Sequence, residues 1–165
     1  MRILVGGVGY RWQRDASFGV VAIDALACLE WPRGIDVRDL GYGAIYAAQD
    51  IADGGYDRVV LLAAAARGRE RGGLFRYRST GQVDDADELQ EKMREAGAGI
   101  IAIDHLLAIA SHFGALPRDV TVIELEPFDQ QYGVDLSPIA QQRLRDALAW
   151  ARQAALEPRV EPIHA

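Results

Sequence analysis

The sequence predicts an α/β fold, a three-layer α/β/α sandwich around a mainly parallel five-stranded sheet. Two observations carry this. Short apolar or alternating runs at 2–6, 35–40, 58–63, 74–78 and 120–125 interleave with stretches of helical periodicity. Glycine-rich turns of a few residues separate them, so crossover helices between parallel strands are the simplest connection. With 165 residues, half of them apolar, the chain can bury one sizeable core and needs no second domain. The expected domain covers 1–156, followed by a flexible tail over 157–165.

Met1-Arg2-Ile3-Leu4-Val5-Gly6-Gly7-Val8-Gly9 is an apolar run that breaks on glycine, as a buried strand leading into a helix does. Ser17 to Glu30 places Phe18, Val21, Ala22, Ala25, Leu26 and Leu29 at helical spacing, with Asp15 or Ser17 available to cap it and Cys28 on the core side. Trp31-Pro32-Arg33-Gly34 ends that helix. Residues 35–40 alternate apolar with charged, as a half-buried strand should, and Gly41-Tyr42-Gly43 turns into a helix over 44–52. The run 58–63 is the most apolar and should be the central strand. Residues 74–78 have one basic face and should lie at a sheet edge. Residues 84–95 form a polar helix with acids first and bases late, which suits the helix dipole and reads as a solvated face rather than a metal site. An apolar helix over 100–113 ends at Gly114 and Pro117, a last strand occupies 119–125, and Ser137-Pro138 opens a final helix running to about Ala155.

Charge and composition exclude several functions. A net charge of −6 disfavours nucleic acid, whose phosphates need a basic surface. The one cysteine, Cys28, precludes an internal disulfide or a Cys-rich metal centre and fits a reducing compartment. No apolar run approaches the ~18 residues of a membrane span, and no signal-peptide pattern precedes the first strand. The expectation is a cytoplasmic protein without a membrane partner.

In such a sheet functional groups collect at the carboxyl ends of the strands, so Gly9–Ser17, Ala63–Arg67 and the start of the helix at Ile100 should frame one crevice. The first turn is a poor phosphate cradle, because Tyr10, Arg11, Trp12, Gln13 and Arg14 are large and Gly7-x-Gly9-x-x-Trp12 lacks the third glycine. No Gly-x-Ser-x-Gly elbow, cysteine–histidine pairing or Walker pattern occurs. His105 and His112 stand ~10 Å apart along a helix, too far to chelate one ion alone. Asp15, Asp104, His105 and His112 read as capping, surface or half-buried groups, with a displaced metal site as the alternative. Tyr10, Arg11, Trp12, Arg14, Asp15 and Arg67 form a candidate partner-binding rim, extended by Arg69 and Arg71, since arginine interleaved with aromatics is the composition of interaction hot spots. The competing reading is a set of solvated loop arginines.

Several of these elements carry a family resemblance. Ile-Leu-Val-x-Gly-Val-Gly at 3–9, Asp15 followed by Gly19-Val20, the helix at 44–52, the strand at 59–62, Gly72-Gly73-Leu74-Phe75-Arg76, Glu126-Pro127, and Gly133-x-x-Leu136-Ser137-Pro138 resemble the hydrogenase maturation proteases. Those endopeptidases trim the C-terminus of a nickel–iron hydrogenase large subunit after its metal centre is loaded. The resemblance spans residue 1 to about 152 and implies a mixed sheet between helices. It also implies three metal-ligand positions, and here they hold Ala16, Ala63 and, within a residue or two, Gly99. The family has glutamate at the first, in Asp-Glu-x-x-Gly, where this chain reads Asp15-Ala16-Ser17-Phe18-Gly19. The second is an aspartate ending the central strand and the third a histidine before an apolar helix. The family's usual asparagine after the glycine turn is Tyr10. Alanine and glycine offer no side-chain donor to a divalent ion, so no metal, no cofactor and no catalytic residue is expected. Two functions stay open. One is a binding or chaperone protein that docks a hydrogenase large subunit or another maturation protein without cleaving it. The other is an active endopeptidase or other hydrolase with rearranged metal or catalytic residues.

Overall fold

A central five-stranded sheet organises the computed structural model, which describes residues 1–81 and 84–158. The elements are β1 (Ile3–Gly7), α1 (Phe18–Ala27), β2 (Ile35–Asp39), α2 (Ala44–Gly54), β3 (Arg58–Ala64), β4 (Leu74–Arg78), α3 (Ala86–Gly97), α4 (Ile103–His112), β5 (Asp119–Leu125) and α5 (Pro138–Leu156). β3 lies at the centre, parallel to β1 and β5, as its unbroken apolar run predicts. β2 pairs parallel outside β1, and β4 pairs antiparallel to β5 at the opposite edge.

Strand alternation divides the core into two layers. Leu4, Val59, Leu61, Ala63, Val120 and Val122 face α2 and α4, meeting Ala47, Ile51, Ile103 and Leu106. Ile3, Val5, Val60, Leu62, Ile123 and Leu125 face α1 and α5, meeting Phe18, Ile23, Leu26 and the alanines 140, 147, 151 and 154. The alanine face of α5 allows a close approach to the sheet. At its far end Arg58, only 2% exposed, pairs with Asp119 at 2.6 Å and donates to the carbonyls of Ala154, Ala155 and Glu157. Glu157, the first residue of the expected tail, also accepts from Arg76 at 2.6 Å. Residues 159–165 of that tail, and Gln82 and Val83 of the loop expected at 79–83, lie outside the described residues. Among the described residues no helix is long and apolar enough to cross a membrane.

Helix ends depart from the sequence reading where a side chain captures a backbone group. α1 stops at Ala27 rather than Glu30, because the Trp31 indole N–H takes the Leu26 carbonyl at 2.9 Å and the Leu29 N–H turns back tightly on the same group. Cys28 therefore falls past the last turn and is exposed, not part of the core. Neither Asp15 nor Ser17 caps α1: the Ser17 hydroxyl donates to the Arg14 carbonyl, and Asp15 points elsewhere. α3 begins at Ala86, two residues later than 84, because the Asp85 carboxylate accepts from the Glu88 N–H at 2.9 Å and fixes the cap. α4 begins at Ile103 rather than Ile100, since the Ile101 N–H is drawn to the Tyr10 hydroxyl at 2.6 Å and the chain enters extended at Ala102.

Packing at the first turn is close enough to require glycine. A Cβ at Gly19 would stand 2.1 Å from the Leu62 carbonyl oxygen and 2.5 Å from that of Val8. Gly97, at the end of α3, faces open space. Gly19→Ala is expected to cost about 2 kcal/mol or more by overpacking against backbone, whereas Gly97→Ala should stabilise by about 0.5–1 kcal/mol. Urea unfolding midpoints of the two variants check both signs.

Candidate functional site

The carboxyl end of the sheet gathers three polar clusters, each bridging distant parts of the chain. The first is centred on Asp15, which is completely buried. Its carboxylate accepts hydrogen bonds from the N–H groups of Phe128 at 2.9 Å, Asp129 at 3.0 Å and Ser137 at 2.8 Å, and from the Ser137 hydroxyl at 2.7 Å. Ser137 is the expected N-cap of α5, accepting from the Ala140 N–H at 3.4 Å with Pro138 following. The preceding residue, Arg14, has φ +40°, among the described residues the one non-glycine backbone on that side. That strained turn directs Asp15 inward. Asp15 is thus removed from the candidate rim, because a carboxylate can be this deeply buried only when donors saturate it.

The second cluster is a strut. Tyr10, half-buried, donates its hydroxyl proton to the Gly99 carbonyl at 2.8 Å and accepts from Ile101 N–H, while its own N–H donates to the Ala16 carbonyl at 3.2 Å. Tyr10 therefore joins two of the three positions at which the resemblance implies metal ligands. The third, Ala63, is 1% exposed and packs in the core, so these three residues do not line one open crevice.

The third cluster lies next to Ala63. Its register partner on β5, Glu124, is completely buried and ion-paired to Arg67 at 2.6 Å and to Arg69; the Tyr77 hydroxyl donates to it at 3.0 Å. Burial, then the Glu124 charge, pushes the Tyr77 phenol up to about 12. Arg67 also grips Asp104 at 2.8 Å, and its N–H donates to Glu126. Burial alone would raise the Glu126 carboxyl, but the Arg67 N–H, the Arg69 guanidinium and the Gly68 N–H outweigh it and hold this group below the ordinary carboxylate range. A groove of about 380 Å³ opens beside the network, between Arg67, Arg69, Tyr77, Asp104 and Leu107. Glu124 escaped the sequence reading, although a carboxylate inside the apolar run 120–125 signals a buried acid in need of cations. The alternating Arg67 and Arg69, in the loop after the adjacent strand β3, are those cations.

The predicted arginine rim is largely neutralised. Arg11 spans Asp24 at 2.7 Å and Asp39 at 2.6 Å, and Arg14 lies 3.4 Å from Asp129. The exposed groups here are aromatic and aliphatic: Trp12 is 65% exposed, Tyr132 84% and Val134 66%. Tyr132 and Val134 were not among the sequence candidates. They reach Trp12 because Gln13 and Gly133 form a parallel β-bridge. His105 is bound to Glu95 at 2.6 Å, and exposed His112 stacks edge-on with Phe113. Among the described residues no group of three or more His, Cys, Asp or Glu side chains converges as a metal site. The residues at the implied ligand positions do not fit a divalent ion: two are alanines, one is glycine, and the neighbouring oxygens of Tyr10 and Glu124 are already engaged.

Asp15→Asn replaces an acceptor-only group with one bearing two donors that would face the amides of 128, 129 and 137. A loss of about 2–4 kcal/mol is expected by chemical denaturation, as for other buried charge-assisted networks. Glu126 is depressed in the folded state, so its contribution is fully present above its unfolded value and is lost as the pH falls through its folded value. Stability should decline below about pH 4.5, and Glu126→Gln should flatten that decline while lowering stability at pH 7. Melting temperatures from pH 3 to 7 measure this.

No protein-family model and no curated protein sequence matches the chain, but solved structures do. It is 28% identical to the hydrogenase 2 maturation peptidase of Thaumarchaeota archaeon SCGC_AB-539-E09, covering 93% of this chain and 97% of that one with a TM-score of 0.67. It superposes on the hydrogenase maturating endopeptidase of Escherichia coli with a TM-score of 0.66 at 22% identity, over 91% of this chain and 89% of that one. A nickel–iron hydrogenase maturation protease of Thermococcus kodakarensis matches with a TM-score of 0.65 at 22% identity, over 94% and 99% of the two chains. Over more than nine-tenths of its length, this chain has the fold of the hydrogenase maturation proteases.

Proposed function

We propose that the protein serves hydrogenase maturation by binding a nickel–iron hydrogenase large subunit, or another maturation protein, without cleaving it. One observation carries the reading: the frame of the site is complete while the ligand positions hold Ala16, Ala63 and Gly99. Asp15 still anchors Ser137, and Gly7, Gly9 and Gly19 still allow the close packing of the first turn. The donors a hard or borderline ion needs are replaced by a phenol strut and a saturated carboxylate. The surface left for recognition is the rim around Trp12, Tyr132 and Phe128, which are 65%, 84% and 55% exposed. Large exposed aromatics bring contact area at low entropic cost, and such residues dominate interface energetics. Arg11 and Arg14 hold this surface in shape rather than supplying unpaired charge.

Trp12→Ala combined with Tyr132→Ala should reduce co-purification of the unprocessed large subunit at least tenfold. Both side chains are exposed, so the melting temperature should move by no more than about 2–4 °C. In a mass-resolved assay the wild-type protein, with or without added nickel, should leave the large-subunit precursor at full length. Shortening of the precursor by the wild type establishes the endopeptidase reading instead. Undiminished capture by the double variant removes the rim from the interface.

A further inference from the structure

β2 is an edge strand, paired in parallel with β1. The groups it spends on β1 are fixed at both ends, since the Gly34 carbonyl accepts from the Ile3 N–H at 2.9 Å and the Leu40 N–H donates to the Gly7 carbonyl at 2.8 Å. With a period of two, the peptide groups of Asp36 and Arg38 turn toward β1, and those of Ile35, Val37 and Asp39 turn outward. Among the described residues no other group bonds the N–H or C=O of Val37 or Asp39, and the Ile35 N–H leans back on the Pro32 carbonyl at 3.4 Å. A shallow groove of about 580 Å³ opens along this edge, against Asp36, Arg38, Asp50, Asp53 and Tyr56. A strand edge left open in this way is a template for pairing.

The strand is complementary to itself. Two copies of Ile35-Asp36-Val37-Arg38-Asp39, run antiparallel about a two-fold axis at Val37, set Val37 against its own copy, Asp36 against Arg38 and Ile35 against Asp39. The outward peptide groups then meet as hydrogen-bonded pairs, Val37 with its copy and Ile35 with Asp39. Asp36 and Arg38 form the intervening pair, the kind in which opposed side chains come closest. Opposite charges therefore fall where cross-strand contact is strongest, once on each side of the axis. Both groups are available. The bonds from Arg2 and Tyr56 to Asp36 go to Oδ2 and leave Oδ1, and Arg38, exposed beside Tyr56, forms no ion pair among the described residues. The opposite edge is unsuited to the same operation, because β4 about its centre would set Arg76 against Arg76. We infer that the protein self-associates through β2 into a two-fold dimer, joining its two five-stranded sheets into one. The axis stands perpendicular to the sheet, so the two carboxyl ends point in opposite directions and each copy keeps its rim free. A single strand pair of this length makes a small, reversible interface. The inference goes beyond the binding reading above and does not depend on it.

Sedimentation velocity on the full chain from about 5 to 500 µM, where small interfaces dissociate, reads the association. A monomer–dimer equilibrium is expected. Arg38→Asp sets carboxylate against carboxylate and should weaken it at least tenfold, and Asp36→Lys, which sets ammonium against guanidinium, should do the same. An equimolar mixture of the two variants opposes the native Asp36 to the native Arg38 and the new carboxylate to the new ammonium, so it should recover a heterodimer about as tight as the wild-type pair. Amide hydrogen exchange gives a readout on unaltered protein, which stands even where a variant folds poorly. Protection of the Val37 and Asp39 N–H groups should rise at least fivefold from the dilute to the concentrated end, while Arg38 and Leu40, whose N–H groups turn toward β1, stay level. A monomer at every concentration, indifference of the Val37 and Asp39 amides to concentration, undiminished association of either variant, or growth past the dimer into longer chains overturns the inference. So does failure of the mixture to associate when both variants melt cooperatively.

Discussion

A buried carboxylate without a buried cation is the constraint on which the rest of this structure depends. Asp15 sits in the first turn, yet its four donors come from a loop and a helix start more than a hundred residues later. An unsatisfied charge there would cost several kcal/mol, so the segment 127–137 must fold against the first turn in one register. That register in turn fixes where α5 begins. α5 packs on β3 and β5 through alanines, whose short side chains give packing energy only when the helix lies close and unshifted. One oxygen pair thereby couples the entry of α1, the last helix and the bridge at Gly133. The φ of +40° at Arg14 is the local strain accepted to aim it.

Arginine has an architectural role at this edge. Arg67 and Arg69 neutralise two buried carboxylates, Glu124 in β5 and Glu126 just past its end, and Arg58 does the equivalent work at the opposite end of β3 by closing the last turn of α5. Each guanidinium satisfies acceptors from several elements at once, which its forked donor geometry permits and a lysine ammonium would not match. The consequence is a surface less basic than its composition implies.

The strands and their order of burial were legible in the sequence because apolar alternation and glycine punctuation report directly on which backbone faces the core. The central position of 58–63 and the cap at Ser137-Pro138 are of this kind. Helix ends were less legible: the stop of α1 depends on Trp31 reaching back to Leu26, and the late start of α4 on Tyr10 reaching forward across the fold. These are tertiary contacts that periodicity does not encode. The same distinction separates the candidate residues. Trp12 remains at the surface, whereas Asp15 is internal, and Arg11, Arg14 and Arg67 are held by acids on other elements. A sequence shows that charges are present but not how they are paired.

Tyr10 and Glu124 tie together the loops around the positions at which the family resemblance implies metal ligands. In the loop entering α4, Gly99 and Ile100 are exposed and their N–H groups turn back on the end of α3. The Tyr10 phenol ties this loop to the first turn by donating to one of its peptide groups and accepting from another. Glu124, beside Ala63, would be an unpaired buried charge if Arg67 and Arg69 were absent. With them it becomes a brace between β3, β5 and the loop that follows β3. Both devices join separate elements through several hydrogen bonds each and so rigidify the edge. An edge braced in this way, with exposed aromatic side chains outside and its polar groups turned inward, is the physical support for the proposed binding role.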